Sequence, residues 1–164
     1  MKLSKDFYLS EFTKSKTAIK FGINNQPDYQ QEKAIRYLVT KGLQPLRTAL
    51  GQIHISSGLR VPELNKRLGG SSTSYHCRGM ACDIDNDGVR DAPSNQEVFF
   101  YIMHNLPYSE LIWEFNDDIS PSWVHYALEK GKEDVKETLI AYKDDNGRTK
   151  YVTFSLDNLE LYLG

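Results

Sequence analysis

Between Ser74 and Asp83 the chain reads Ser-Tyr-His-Cys-Arg-Gly-Met-Ala-Cys-Asp, which sets a histidine and a carboxylate seven positions apart across Gly79. If both side chains serve one site, the chain must turn at Gly79 and then present Asp83 from an extended segment, with Ala81 on the same face. A small residue there keeps room for a metal and a substrate. Neutral imidazole and ionised carboxylate are both ordinary zinc ligands, and a catalytic zinc takes three protein ligands and leaves one position for water. His125, within Ser122-Trp123-Val124-His125-Tyr126, is the candidate third ligand. Three ligands on two separate segments would make a mononuclear hydrolytic site. A histidine and an aspartate at this spacing also occur without a metal, so the surrounding residues decide the reading.

Length and composition bound the rest. At 164 residues and 40% hydrophobic content, the chain is long enough for one domain with its own core. Twenty basic residues against 22 acidic ones give a net charge of -2, without the basic excess that a nucleic-acid partner requires. The segment Met1-Lys2-Leu3-Ser4-Lys5-Asp6-Phe7 lacks the apolar run of a secretory signal, and no segment is apolar for the length of a membrane span. The expectation is a soluble chain made in the cytoplasm, with no membrane insertion. Cys77 and Cys82 are too few for a disulfide framework.

Along the chain, Ser10 can cap a short helix over 11–18. After Asn24-Asn25-Gln26-Pro27, apolar residues at Ile35, Leu38, Val39, Leu43, Leu46 and Leu50 share a helical face that Gly42 and Pro45 should kink or break. Strands are expected at 53–56, 80–85, 111–115 and 123–128, the last two paired antiparallel. Pro62 opens a short helix over 63–68, and Ser94 with Glu97 forms a capping box for a helix carrying Val98, Phe99, Ile102 and Met103. Beyond Lys130, 138–142 and 151–154 flank the turn Asp144-Asp145-Asn146-Gly147. The fold expected is α+β, a small mostly antiparallel sheet with flanking helices, in one domain over 1–164 with 131–164 as a hairpin extension packed on it.

At 74–83 the chain resembles the M15 family of zinc D-Ala-D-Ala peptidases, and within it the phage and bacterial subgroup of peptidoglycan peptidases. That family's motif reads Ser-x-His-x-x-Gly-x-Ala-x-Asp, and Ser74, His76, Gly79, Ala81 and Asp83 fill every fixed position. Trp123-Val124-His125 matches the family's last ligand, and Ser57-Gly58-Leu59-Arg60 its upstream element. Ser10-Glu11-Phe12 and Pro62-Glu63-Leu64-Asn65 add to a resemblance that covers roughly 9–126. It implies the Hedgehog/DD-peptidase fold and one zinc per chain held by His76, Asp83 and His125. It also implies hydrolysis of peptidoglycan stem or cross-link peptides, as a carboxypeptidase or an endopeptidase. A phage-type endolysin acting at the bacterial cell wall or periplasm, as a monomer, is the role expected.

Arg60 offers a planar cationic fork for a substrate carboxylate or carbonyl, against the plainer reading of a surface ion pair. Ser74 can hydrogen-bond substrate or cap the local turn, and Tyr75 can line the cleft. Related subgroups carry an acid or a histidine three positions before the last ligand, where this chain has Ser122. Serine cannot act as that base, so the catalytic choice is Glu114 on the neighbouring strand, with Asp117 and Asp118 as alternatives and an exposed strand glutamate as the plain reading. His54 and His104 read as packed or surface residues, Cys77 and Cys82 as buried small ones, and Trp113, Phe115, Trp123 and Tyr126 as core. Asp83-Ile84-Asp85-Asn86-Asp87-Gly88 also matches the start of a calcium loop, but its twelfth position is Ser94 rather than glutamate. The competing class is a non-catalytic, zinc- or calcium-containing module that binds cell-wall peptide.

Overall fold

The computed structural model describes residues 1–115 and 120–163. Helix α1 (Leu9–Thr13) starts after Tyr8, whose N–H donates to the Glu11 carboxylate, so Ser10 lies inside the helix instead of capping it. The expected single helix is two, because the Ser15 hydroxyl accepts the Ala18 N–H and starts α2 (Lys16–Phe21). The long apolar pattern does break: α3 (Tyr29–Leu38) passes through a wide π turn at Val39–Leu43 into α4 (Gln44–Leu50). Pro45 has no N–H to continue the ladder. Gly42 lies against Tyr126, whose hydroxyl and ring would collide with any Cβ placed there.

Among the described residues the sheet has six strands, β1 (Ile55–Ser57), β2 (Ala81–Ile84), β3 (Glu110–Glu114), β4 (Trp123–Ala127), β5 (Glu137–Lys143) and β6 (Thr149–Thr153), in the order β1-β2-β4-β3-β5-β6. The fold is α+β, with a sheet that is mixed instead of mostly antiparallel, since β5 runs parallel to β3. The charged stretch after β4 explains this. It is pinned to the start of β3, where Ser109 Oγ accepts from Glu129 N–H and donates to the Lys132 carbonyl, and Tyr108 N–H donates to the Glu133 carbonyl. The chain therefore enters β5 alongside β3 in the same direction.

Period-two alternation divides the sheet. Cys82, Ile84, Val124, Tyr126, Leu111, Trp113 and Ile140 join the core with α3, α4 and α6 (Asn95–Asn105). Cys82 thus points away from Asp83, as the alternation predicts. Helix α5 (Pro62–Arg67) precedes the 3-10 turn Tyr75–Arg78. A last helix, α7 (Leu156–Leu163), follows the hairpin unforeseen; it buries no residue fully, although Leu159 and Leu163 pack on the core. No helix among the described residues is long and apolar enough to cross a membrane.

Candidate metal centre and catalytic cleft

The face of the sheet turned away from the core carries Asp83, His125, Ile112 and Leu139 in one cross-strand row. His76 reaches that row from the 3-10 turn, which Ser74 caps by accepting the His76 N–H. Gly79 ends the turn at φ 71°, and a Cβ there would lie 2.7 Å from the Gln31 carbonyl oxygen, so conformation and close approach both demand glycine. Gly58 is equally confined, with the Phe12 backbone 2.6 Å from where its Cβ would be. That contact brings the Gly58 carbonyl within 2.7 Å of His76 Nδ1. A carbonyl only accepts, so Nδ1 carries the ring proton and Nε2 turns a lone pair toward the cluster.

Three atoms converge there. His76 Nε2 lies 3.1 Å from Asp83 Oδ1 and 3.2 Å from His125 Nδ1, and His125 Nδ1 lies 3.1 Å from the same Asp83 oxygen. All three residues are buried. Protons cannot satisfy all three edges of such a triangle at once, because His76 Nε2 has none to give while Nδ1 is protonated. A single cation facing all three atoms satisfies every edge. Ligands at zinc distances of about 2.0 Å stand about 3.3 Å apart on a tetrahedron, close to the spacing observed. The donor set therefore fits one zinc ion. Among the described residues this is the cluster whose ligand atoms converge, all within 4.8 Å. The calcium alternative loses its first ligand, since Asp83 Oδ1 faces the two histidines and Oδ2 binds Arg60, and its third-position Asp85 Oδ1 accepts from Asp87 N–H and Asn95 Nδ2.

Electrostatics follow from the burial. Desolvation opposes charge on Asp83, yet His76 and His125 outweigh it and hold the carboxyl well below the usual range. Desolvation alone would depress His125, but the hydrogen bond to Asp83 and the carboxylates of Asp83 and Glu110 beside the ring lift it to about 9. Burial pushes His76 down. A metal entering the site must displace the His125 proton.

Around the centre lies a cleft of about 490 Å³. Glu114 lines it, 8% exposed, two residues along β3 from the partner of His125, and desolvation raises its pKa to about 7 against opposing contributions from His125 and Arg60. Arg60 is no surface ion pair: its Nη2 binds Asp83 Oδ2 and its Nε donates to Ser57 Oγ at 3.0 Å. Part of the guanidinium still faces the cleft. Ser74 combines the turn cap with a place in the lining, and Tyr75 lines the cleft with the Arg78 guanidinium 4.6 Å over its ring. Ser122 N–H pairs with the Glu114 carbonyl, which puts the glutamate strand beside the position that lacks an acid. Asp117 and Asp118 lie outside the described residues. Phe115 and Trp123, expected in the core, form part of the cleft wall, ring centroids 5.3 Å apart.

Sequence reading missed Glu110. Its Oε1 lies 3.1 Å from His125 Nε2, off the line of a good hydrogen bond but close enough for an ion pair. The signal was present as period-two spacing: Glu110, Ile112 and Glu114 occupy one face of β3, opposite Ala127, His125 and Trp123. Leu139, Thr149 and Tyr151 of the C-terminal hairpin also line the cleft.

The profile of the family described as Peptidase M15 matches residues 5–111, which is well over half of the chain and takes in Arg60, His76, Gly79 and Asp83. The chain belongs to the peptidase M15 family. No curated protein matches it. Membership gives this M15 protein a metallopeptidase-type function and a hydrolase activity as its coarse class. The family is one of zinc peptidases, and the buried His76, Asp83 and His125 could hold such a metal. Glu114 and His125 fall beyond the matched residues, so their assignment rests on the geometry of β3 and β4.

Proposed function

We propose that this M15 protein is a zinc-dependent peptidase that hydrolyses peptide bonds of peptidoglycan at the bacterial wall, in the manner of a phage-type lysin. The observation that carries the enzymatic reading is the placement of Glu114 beside the His76–Asp83–His125 triangle, buried enough that its pKa stands near 7. A group with that pKa accepts and returns protons at neutral pH, as hydrolysis requires. A pure binding module needs no such group.

His76 through Nε2, Asp83 through Oδ1 and His125 through Nδ1 would hold one zinc. Zinc bound there supplies Lewis acidity toward the scissile carbonyl and the attacking water. The Glu114 carboxylate takes a proton from that water as its oxygen bonds to the carbonyl carbon. It then delivers the proton to the amide nitrogen as the carbon–nitrogen bond breaks. The products are a carboxylate and an amine. Arg60 keeps the outer oxygen of Asp83 occupied, fixing which oxygen faces the histidines, and turns its remaining N–H groups toward the substrate carbonyl. His76 is oriented by the Gly58 carbonyl and His125 by Glu110.

The direct test is Glu114→Gln, which keeps the shape of the side chain and removes its proton chemistry. The variant should bind zinc as the parent does while hydrolysis of purified peptidoglycan falls by at least about 100-fold. Near-normal hydrolysis by the variant would remove Glu114 from the mechanism.

A further inference from the structure

The wall of the cleft contributed by β5 and β6 lies wholly outside the stretch that matches the family. Register places Trp123, Glu114, Ala141 and Tyr151 in one row across four strands. Ala141 is fully buried and small, so nothing bulky stands between the Glu114 strand and Tyr151. One step further along the same face, Lys143 pairs with Thr149. Its Nζ donates to Thr149 Oγ1 at 2.8 Å and lies 5.1 Å over the ring of Phe115. Thr149 and Phe115 both line the cleft. Among the described residues neither contact neutralises the ammonium, and two of its three N–H donors are left to offer. Along its strand Lys143 stands two residues, about 7 Å, beyond the partner of Glu114.

We infer that the β5–β6 hairpin is a substrate-selecting wall in which Lys143, steadied by Thr149 and Phe115, binds a carboxylate of the peptide. Tyr151, in the row of Glu114, bounds the chain beside the bond to be cut, and Leu139 lies on the far side of that row from Lys143. The remainder of the cleft suits this division of labour. Arg60, the other permanent cation beside the cleft, is already engaged by Asp83, and a zinc ion at the centre would be taken up by the scissile carbonyl and the water. A substrate anion is better received at the Lys143 end. The carboxylate sits within about two residues of the bond to be cut, at about 3.5 Å per residue of extended chain. It is either an acidic side chain or the terminal carboxylate of the peptide. This inference rests on the peptidase reading for the identity of the ligand as a peptide.

The test measures binding of a short acidic peptide to the zinc-loaded full chain, beside its side-chain amide and its C-terminal amide, for the parent, Lys143→Gln and Thr149→Val. The parent should bind the free acid about fivefold tighter than one of the two amides, as one partly exposed ion pair allows. Whichever amide loses affinity identifies which carboxylate is read. Lys143→Gln should bring the acid down to the affinity of that amide and leave zinc content and amide binding unchanged. Thr149→Val should fall between. Equal affinity of the parent for all three peptides, absence of binding, or an equal loss for acid and amides in Lys143→Gln would overturn the proposal. Hydrolysis of the same peptides by the parent is followed separately: selective binding without cleavage would refute the peptidase reading and leave the Lys143 subsite standing.

Discussion

Burial gives Glu114 its chemistry, and it has a consequence for folding that is separable from catalysis. The pKa is about 7 in the folded chain against an ordinary value of 4.5. A carboxyl raised in this way adds stability that is complete below about pH 4.5 and is lost as the pH climbs through about 7. Removing the ionisable group removes that loss. In metal-free protein, Glu114→Gln should therefore gain about 3 kcal/mol on the parent between pH 4 and pH 8, measured by urea unfolding in a chelator. Parallel stability curves would contradict the burial argument. Glu110→Gln tests the outer partner of His125. Loss of that anion should weaken zinc binding by about tenfold or more, read by competition with a coloured chelator, and an unchanged affinity would show that Glu110 does not orient the ring. At this scale His76 and Asp83 were legible because a turn and a strand bring them together within seven positions. Arg60 was legible as a cleft residue but not as the partner of Asp83, and Glu110 was not found, since its role depends on a neighbour across the β3–β4 ladder.

The elements that place the ligands are short, and each depends on a contact outside itself. The Tyr75–Arg78 turn holds because Gly79 adopts a left-handed conformation against the Gln31 carbonyl of α3. Gly79→Ala meets both the positive φ and the 2.7 Å approach, and should cost on the order of 2 kcal/mol. Thermal unfolding of the metal-free chain checks this, and an unchanged midpoint would mean that the turn shifts freely. Strands β2, β3 and β4 could be read from alternation because one face of each is packed and the other carries polar groups. The split between α1 and α2 could not, since it turns on one serine hydroxyl competing for a backbone N–H. The π turn was foreseen as a kink or break at Gly42 and Pro45, but the approach of Tyr126, which leaves no room for a side chain at Gly42, comes from a distant part of the chain.

At the scale of the molecule, the sheet is completed by chain that the family match does not reach. β5 lies parallel to β3 and buries Ile140 and Ala141 fully, so a chain ending at residue 130 would leave β3 as a bare edge beside an unfilled core. Such a truncation should lose at least about 3 kcal/mol of stability or fail to stay soluble, as denaturant unfolding and size exclusion would show; a truncated protein as stable as the parent would make the hairpin an appendage. The hairpin itself was legible from its turn residues. Its parallel neighbour was not, because pairing with β3 is dictated by Ser109 and Tyr108 binding the stretch between β4 and β5. Sheet, turn and hairpin together surround one site that fits zinc and a buried glutamate. Purified peptidoglycan incubated with zinc-loaded and with metal-stripped protein, followed by mass analysis of the released fragments, tests that site most directly. Peptide fragments with newly formed amino and carboxyl ends should appear with the zinc-loaded protein alone, and the masses name the bond. No fragments from the zinc-loaded chain, or equal release from the stripped one, would contradict a zinc peptidase built on His76, Asp83, His125 and Glu114.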